Sequence, residues 1–451
     1  MIADLRPYPE YKDSEQAWLG RVPQHWSVLP NRALFAEVKD REHPDEEMLS
    51  VTITKGIIRQ KALLTDSSKK DSSKQDKSAY KLVQPRDLAY NKMRAWQGAI
   101  GVSDFRGIIS PAYVVMRLRE DRNLPRYFHH LYRTPHFAKE AERWSYGITS
   151  DMWSLRPEHF KMIYTPQPPP EEQAAMVRFL DYANGRLERA IRAKRKVIAL
   201  LHEQKQAIIH RAVTRGLDPT VPLKPSGIPW LGDIPQHWEV SRVKNEFRCL
   251  NTRRIPLNSV ERGQMTSRLY DYYGASGVID KVDDFLFDDE LLLIAEDGAN
   301  LVLRNLPLAI IARGKFWVNN HAHILKPKRG NLVYLANYME TLNYMAWISG
   351  AAQPKLTQDR LLSISIAVAP HEEQAGIVKH TARETQPLLK AINRLEREIE
   401  LLREYRTRLV ADVVTGKLDV RPAARQLPAE PIEPEAAPDA EELTEPEEAE
   451  A

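Results

Sequence analysis

Between Glu171 and Thr214 the apolar residues Val177, Leu180, Leu187, Ile191, Ile198, Leu201, Ile208 and Ala212, joined by Asn184, Lys194 and Lys205, form a row whose steps alternate three and four. That spacing predicts a long helix with a coiled-coil seam along one face. Between Glu372 and Thr415 the row returns 201 positions later as Val378, Thr381, Thr385, Leu388, Ile392, Leu395, Ile399, Leu402, Arg406, Leu409 and Val413. Two matching stripes in one chain predict two rods packed on each other. If they run antiparallel, Asn184 lies roughly level with Arg406 and Lys205 with Thr385. Pro169 and Pro370 stand just before the Glu-Glu-Gln that opens each rod, where acidic residues suit the positive end of the helix dipole. Gly216 and Gly416 follow the last seam residues as helix stops. Each rod would span roughly 66 Å at 1.5 Å per residue, close to two turns of duplex DNA at ~34 Å each.

A second repeat precedes each rod. Trp18–Val28, "WLGRVPQHWSV", returns 212 positions later as Trp230–Val240, "WLGDIPQHWEV". The two offsets differ, so the segments between box and rod differ in length, and the chain reads as box, variable domain and rod, twice over. The indoles, Pro23 and Gly20 suit a packed turn, with His25 and His237 as hydrogen-bonded structural histidines rather than ligands. Within the variable domains, β-branched runs such as "MLSVTI", 99–119, 276–303 and 308–327 read as strands, while 124–144 and 332–348 read as helices. The fold class is α+β: two α/β-mixed domains, 1–168 and 217–369, separated by long helices at 169–216 and 370–420 that form an antiparallel coiled coil, with a tail at 421–451.

Charge sharpens this picture. The net charge of +4 conceals ten acidic residues and no Lys or Arg between Pro428 and Ala451. Without that tail the chain holds 65 basic against 51 acidic side chains. A basic body is a reason to consider a polyanion partner, and a tail of Pro, Ala and Glu is expected to be disordered. A lone cysteine, Cys249, excludes an internal disulfide and fits a cytoplasmic protein. The first twenty residues do not read as a signal peptide, and no apolar run reaches the ~20 residues of a membrane span.

Catalytic signatures are missing from the sequence. There is no GxxxxGK[ST] phosphate loop, no HExxH and no Asn/Asp-Pro-Pro-aromatic segment. His321 and His323 stand two apart, on one face of a strand, and without further ligands suit a structural or DNA-facing role better than a metal. What remains is basic, polar and aromatic loop content in both variable domains. Lys69 and Lys70 lie in a Ser- and Lys-rich loop suited to phosphates. Lys92, Arg94 and Gln97, in "YNKMRAWQG", are side-chain types that read guanine and adenine edges. Arg268, Tyr272, Asn300, Asn319 and Lys355 offer similar chemistry in the second domain. Among exposed rod residues off the seam, Gln173, Arg178, Gln374 and Lys379 are candidates for docking a partner.

Taken together, the doubled "WLG..PQHW", the Pro-x-Glu-Glu-Gln at Pro169–Gln173 and Pro370–Gln374, "AIIHRAVTRGLDP" and "RLVADVVTGKLDVR" resemble the DNA-specificity subunit of type I restriction-modification systems, from Lys12 to Arg421. The resemblance implies two target-recognition domains held apart by antiparallel helices in a pseudo-twofold arrangement. Each domain would read half of a split site in double-stranded DNA. Two modification subunits would dock on the helices, bringing S-adenosylmethionine and adenine-N6 methyltransferase chemistry, and restriction subunits would bring ATP and Mg2+ for translocation and cleavage. The chain itself would hold no cofactor, no metal and no catalytic residue. A protein-binding coiled-coil scaffold and a stand-alone DNA-modifying enzyme are the competing readings. The duplicated basic domains disfavour the first and the absent motifs the second.

Overall fold

The computed structural model describes residues 5–63, 77–147, 153–350 and 354–428. Lys69, Lys70 and residues 429–451 lie outside the described residues; the first part of the expected tail, 421–428, is instead ordered structure, with a short helix Arg421–Arg425 whose Ala423 and Ala424 join a hydrophobic core with Leu427. The chain divides into two units, one from Met1–Lys194 with Arg397–Ala451, the other Arg195–Glu396. Each contains one variable domain and a stretch of both rods.

The rods run Pro170–Arg215 and His371–Val414. Every seam position read from the sequence is buried or half-buried, whereas off-seam Arg189, Lys196, Arg403 and Glu404 are exposed. In the first unit Glu188 pairs with Arg406 at 3.4 Å and Lys194 with Glu398 at 2.5 Å. One number rises as the other falls, so the helices are antiparallel there, with Arg406 one turn beyond Asn184. In the second unit Ala212 and Val213, late in the first rod, share a core with Ile377, early in the second. Pro387 sits inside the second rod, where it cannot donate to the carbonyl four residues back. Its side chain faces solvent.

Both rods stop where the glycines predict, because Gly216 and Gly416 take φ of +75° and +78°. Each glycine also admits a close neighbour. A Cβ would lie 2.8 Å from a Glu373 carboxylate oxygen at Gly216, and 2.4 Å from Pro23 at Gly416.

The variable domains share a four-stranded antiparallel sheet. In the first unit its order is Phe35–Val38, Tyr113–Leu118, Leu88–Asn91, Ile100–Val102. In the second it is Phe247–Cys249, Ala322–Pro327, Phe287–Ala295, Ala309–Val318, extended by Tyr270–Gly274, which pairs parallel to Ala309–Val318, and Gly277–Val282. Both faces are covered. Leu292 and Ile294 enter one core and Leu291 and Leu293 another, so "LLLI" shows no polar alternation.

Three local expectations need correction. The stretch 332–348 is a helix, Leu332–Thr341, and then, after an extended Leu342, a separate short turn, Tyr344–Trp347. The helical stretch 124–144 is two helices, Pro125–Tyr132 and Pro135–Arg143, because the residue before a proline prefers an extended backbone; Thr134 adopts it and caps the second helix. Asn300–Leu303 is a helical turn rather than strand. Among the described residues no helix is long and apolar enough to cross a membrane.

Candidate nucleic-acid interface

The repeated motifs meet at a carboxylate. His25 and Trp26, from the first box, donate their Nε2 and Nε1 hydrogens to Glu172 at 2.6 and 3.0 Å. His237 and Trp238, from the second, do the same to Glu373 at 2.8 and 2.9 Å. The first hub is the richer, since the Tyr8 hydroxyl and the Arg421 guanidinium also donate to Glu172, at 3.1 and 3.0 Å. Arg421 further holds Asp419, whose backbone N–H reaches the Arg6 carbonyl. The first unit is therefore closed by both ends of the described chain.

The adjoining glutamines anchor each domain to its rod. Gln173 accepts from the Leu124 N–H and donates to Asn123 and the Pro168 carbonyl. Gln374 accepts from the Asn331 N–H and donates to the Ala369 carbonyl. This corrects the expectation that both are exposed: they are 0% and 1% exposed, because each satisfies backbone groups inside the rod–domain joint. Arg178 is exposed but donates to the Leu427 and Pro428 carbonyls, and Lys379 is exposed.

With the domains fixed in this way, corresponding loops gather at one end of each sheet. In the first unit the loop 92–99 follows the strand Leu88–Asn91 and meets the segment ahead of the helix Pro157–Met162, through the Leu155 N–H and the Lys92 carbonyl at 2.9 Å. In the second the loop 296–308 follows Phe287–Ala295, and the Leu356 N–H reaches the Glu296 carbonyl at 2.8 Å. Leu155 and Leu356 are 201 positions apart, the rod offset, so the same joint is built twice.

At the first joint Lys92, Tyr146, Ser154, Arg156 and Glu158 line an open cleft of about 530 Å³. Gln97 is exposed on the short turn Ala95–Gln97, beside the Trp96–Trp153 pair, whose rings stand 5.5 Å apart. Arg94 is half-buried on the same loop. At the second joint Lys355, half exposed, pairs with Glu296 at 3.3 Å. Burial alone would raise the Glu296 pKa, but the Arg254 hydrogen bond and the neighbouring cations hold it below the usual carboxylate range. His321 donates Nδ1–H to Asp297 at 2.9 Å and is exposed.

Other candidates serve the interior. Tyr272 is 1% exposed and its hydroxyl accepts from the Leu257 N–H, with Arg262 over its ring, so it braces a loop instead of facing solvent. Asn319 is buried and caps the His321 N–H. Asn300 spends both amide atoms on Leu306. Arg268 is exposed, with φ of +44° and an ion pair to Asp280 at 3.5 Å. His323 is fully buried, unlike His321: its Nε2–H donates to the Leu356 carbonyl, and burial lowers its pKa.

The sequence reading passed over Arg156, Tyr146 and Lys55. Lys55 stands at a hairpin turn with its ammonium buried and without a hydrogen-bond partner among the described residues. Arg156 follows Leu155, the repeat counterpart of Leu356, but its own counterpart is Thr357, so the repeat did not mark it.

Residues 235–401 match the Type I restriction modification DNA specificity domain family. A protein of Haemophilus influenzae named as a type I restriction enzyme specificity subunit is 36% identical over 132 residues, 29% of this chain. That match spans 33% of the relative's length. A chain from a structure of complex assembly and conformational transition in a type I R-M system is similar in fold, with a TM-score of 0.59 at 14% identity over 88% of this chain and 99% of that one. The HsdS subunit from Thermoanaerobacter tengcongensis aligns over 90% of this chain and all of that one at 15% identity, with a TM-score of 0.42.

Proposed function

From its membership of the type I restriction-modification specificity family, carried by the domain at 235–401, we propose that this chain is the noncatalytic DNA-reading subunit of such a complex. Each unit reads one half of a split duplex site. The observation that carries this reading is the doubled joint: loops 92–99 and 296–308 leave the same end of the same four-stranded sheet yet present different side chains. Equal scaffolds with unlike loops suit two unlike half-sites. Lys92, Arg94, Gln97, Arg156, Arg268 and Lys355 are the residues of choice for phosphate or base contact, with Lys69 and Lys70, outside the described residues, as further phosphate contacts. Arg offers paired donors to guanine, Gln a donor and an acceptor to adenine, and lysine neutralises phosphate.

The rods set the distance between half-sites and dock two modification subunits, which supply S-adenosylmethionine and adenine methylation. Restriction subunits supply ATP-driven translocation and cleavage. Exposed Lys379 and Arg178 remain docking candidates, Arg178 with its tie to the chain's C-terminal segment. Exchange of residues 30–168 for the same region of a relative tests the reading. Methylome sequencing should then show one half of the target changed and the other intact, whereas a change in both halves would contradict independent reading.

A further inference from the structure

The helix after each sheet carries a tyrosine that fixes its position on the rod. Tyr127 donates to the Val414 carbonyl and Tyr334 to the Val213 carbonyl, equivalent positions in the 201-residue repeat. Six residues beyond these tyrosines stand Arg133 and Glu340, of opposite charge. Both turn toward the backbone of the loop at the candidate interface, at the point where it enters the next strand. Arg133 donates to the Ile100 carbonyl at 2.9 Å and the Gly98 carbonyl at 3.4 Å, closing loop 92–99. Its Nη2 donates to the carbonyls of Ile53 and Thr54, and Nη1 also reaches that of Thr52, in the hairpin turn that carries Lys55. Glu340 accepts from the Leu308 and Ala309 N–H groups at 2.9 and 2.8 Å, closing loop 296–308. Arg304, within that loop, donates to the Glu340 and Leu342 carbonyls.

We propose that Arg133 and Glu340 are the positioning residues of the two DNA-reading loops, Arg133 setting where Lys92, Arg94 and Gln97 stand and Glu340 setting the loop 296–308, whose Glu296 holds Lys355. The inference rests on the DNA-reading proposal above. One clamp grips carbonyls and the other grips amides, as their charges require, so the two loops are held by opposite poles of the peptide group. The packing around Arg133 leaves little slack: a Cβ on Gly56 would come within 3.2 Å of its guanidinium. Neither residue supplies a base contact. Each acts through backbone, and a shift of the loop would move Lys92, Arg94 and Gln97 in one unit, or the segment from Glu296 onward in the other, as a group.

The test uses the full chain assembled with its modification subunits and three duplexes: the methylome-defined target, the target altered in one half, and the target altered in the other. For R133M and R133K, discrimination at one half-site should fall roughly tenfold or more, the weight of about one base contact, with the other half unaffected. For E340A the loss should fall on the opposite half, and E340Q should restore it, since a single amide oxygen can accept both N–H groups. A purely structural role would lower binding to all three duplexes together and leave the ratios unchanged, and that result overturns the inference. Should the Arg133 variants fail to fold, the E340A and E340Q pair decides by the same ratios. A wild-type complex that discriminates at neither half would overturn the DNA-reading proposal, and the clamps with it.

Discussion

Trp26 donates its indole hydrogen to Glu172 over 3.0 Å, joining motifs 146 residues apart in the chain. Trp238 and Glu373 repeat the contact at 2.9 Å. The "HW" and "EEQ" motifs are thus two halves of one joint, by which each variable domain grips the start of a rod.

Removing the carboxylate should be costlier in the first joint. Glu172 is buried and serves four donors, so E172A would leave Trp26, Tyr8 and the Arg421 guanidinium without it, a loss of about 3–5 kcal/mol by analogy with broken buried ion pairs. Glu373 is partly exposed and serves two donors, which places E373A nearer 1–2 kcal/mol. Urea unfolding of the two variants should preserve that order, and equal losses would count against the hub.

Acidification should loosen the first unit before its carboxylates titrate. His129 is held neutral by burial, with further lowering from His130, Arg133 and Arg126; burial lowers the His130 pKa as well. A depressed folded pKa means that the stability is intact above the unfolded value of 6.5 and is lost as pH falls below it, because the unfolded chain binds the proton more readily. Stability should decline by up to about 1.4 kcal/mol per pH unit for each such histidine. H129Q should flatten the slope between about pH 6.5 and 5, and an unchanged slope would remove His129 as its source.

The pair Lys194–Glu398 tests helix register. Both partners are about a third exposed, so the contact is worth roughly 0.2–1 kcal/mol after solvent screening. K194E alone should destabilise by no more than that, and K194E with E398K should recover most of it. A double variant no better than the single would place the pair out of register in solution.

Two glutamines and a lysine separate folding from docking. Q173A and Q374A strand buried backbone N–H groups and should each cost about 1–3 kcal/mol. K379E, on an exposed position, should leave the melting temperature unchanged and weaken association with modification subunits. Loss of assembly in Q173A at full stability would return that residue to the docking surface.

Salt dependence tests the phosphate contacts. K92A and K355A should each reduce the slope of log affinity against log salt by roughly one. Insertion of a heptad in both rods, about 10 Å, should change the spacing permitted between half-sites.

What the sequence settled was what repeats. Seam residues from Val177 to Ala212 and from Val378 to Val413, the glycine stops and the doubled box are local patterns, set by helix periodicity and backbone freedom, and they hold in the fold. Tertiary structure decided which polar residues reach solvent. Gln173, Tyr272 and Asn319 have the composition of surface chemistry but are buried: Gln173 and Tyr272 bond backbone N–H groups 49 and 15 residues away, and Asn319 caps the His321 N–H two residues on. For the same reason Arg133 and Glu340 carried no readable motif: their partners are main-chain carbonyls and amides, which every residue possesses and no sequence marks.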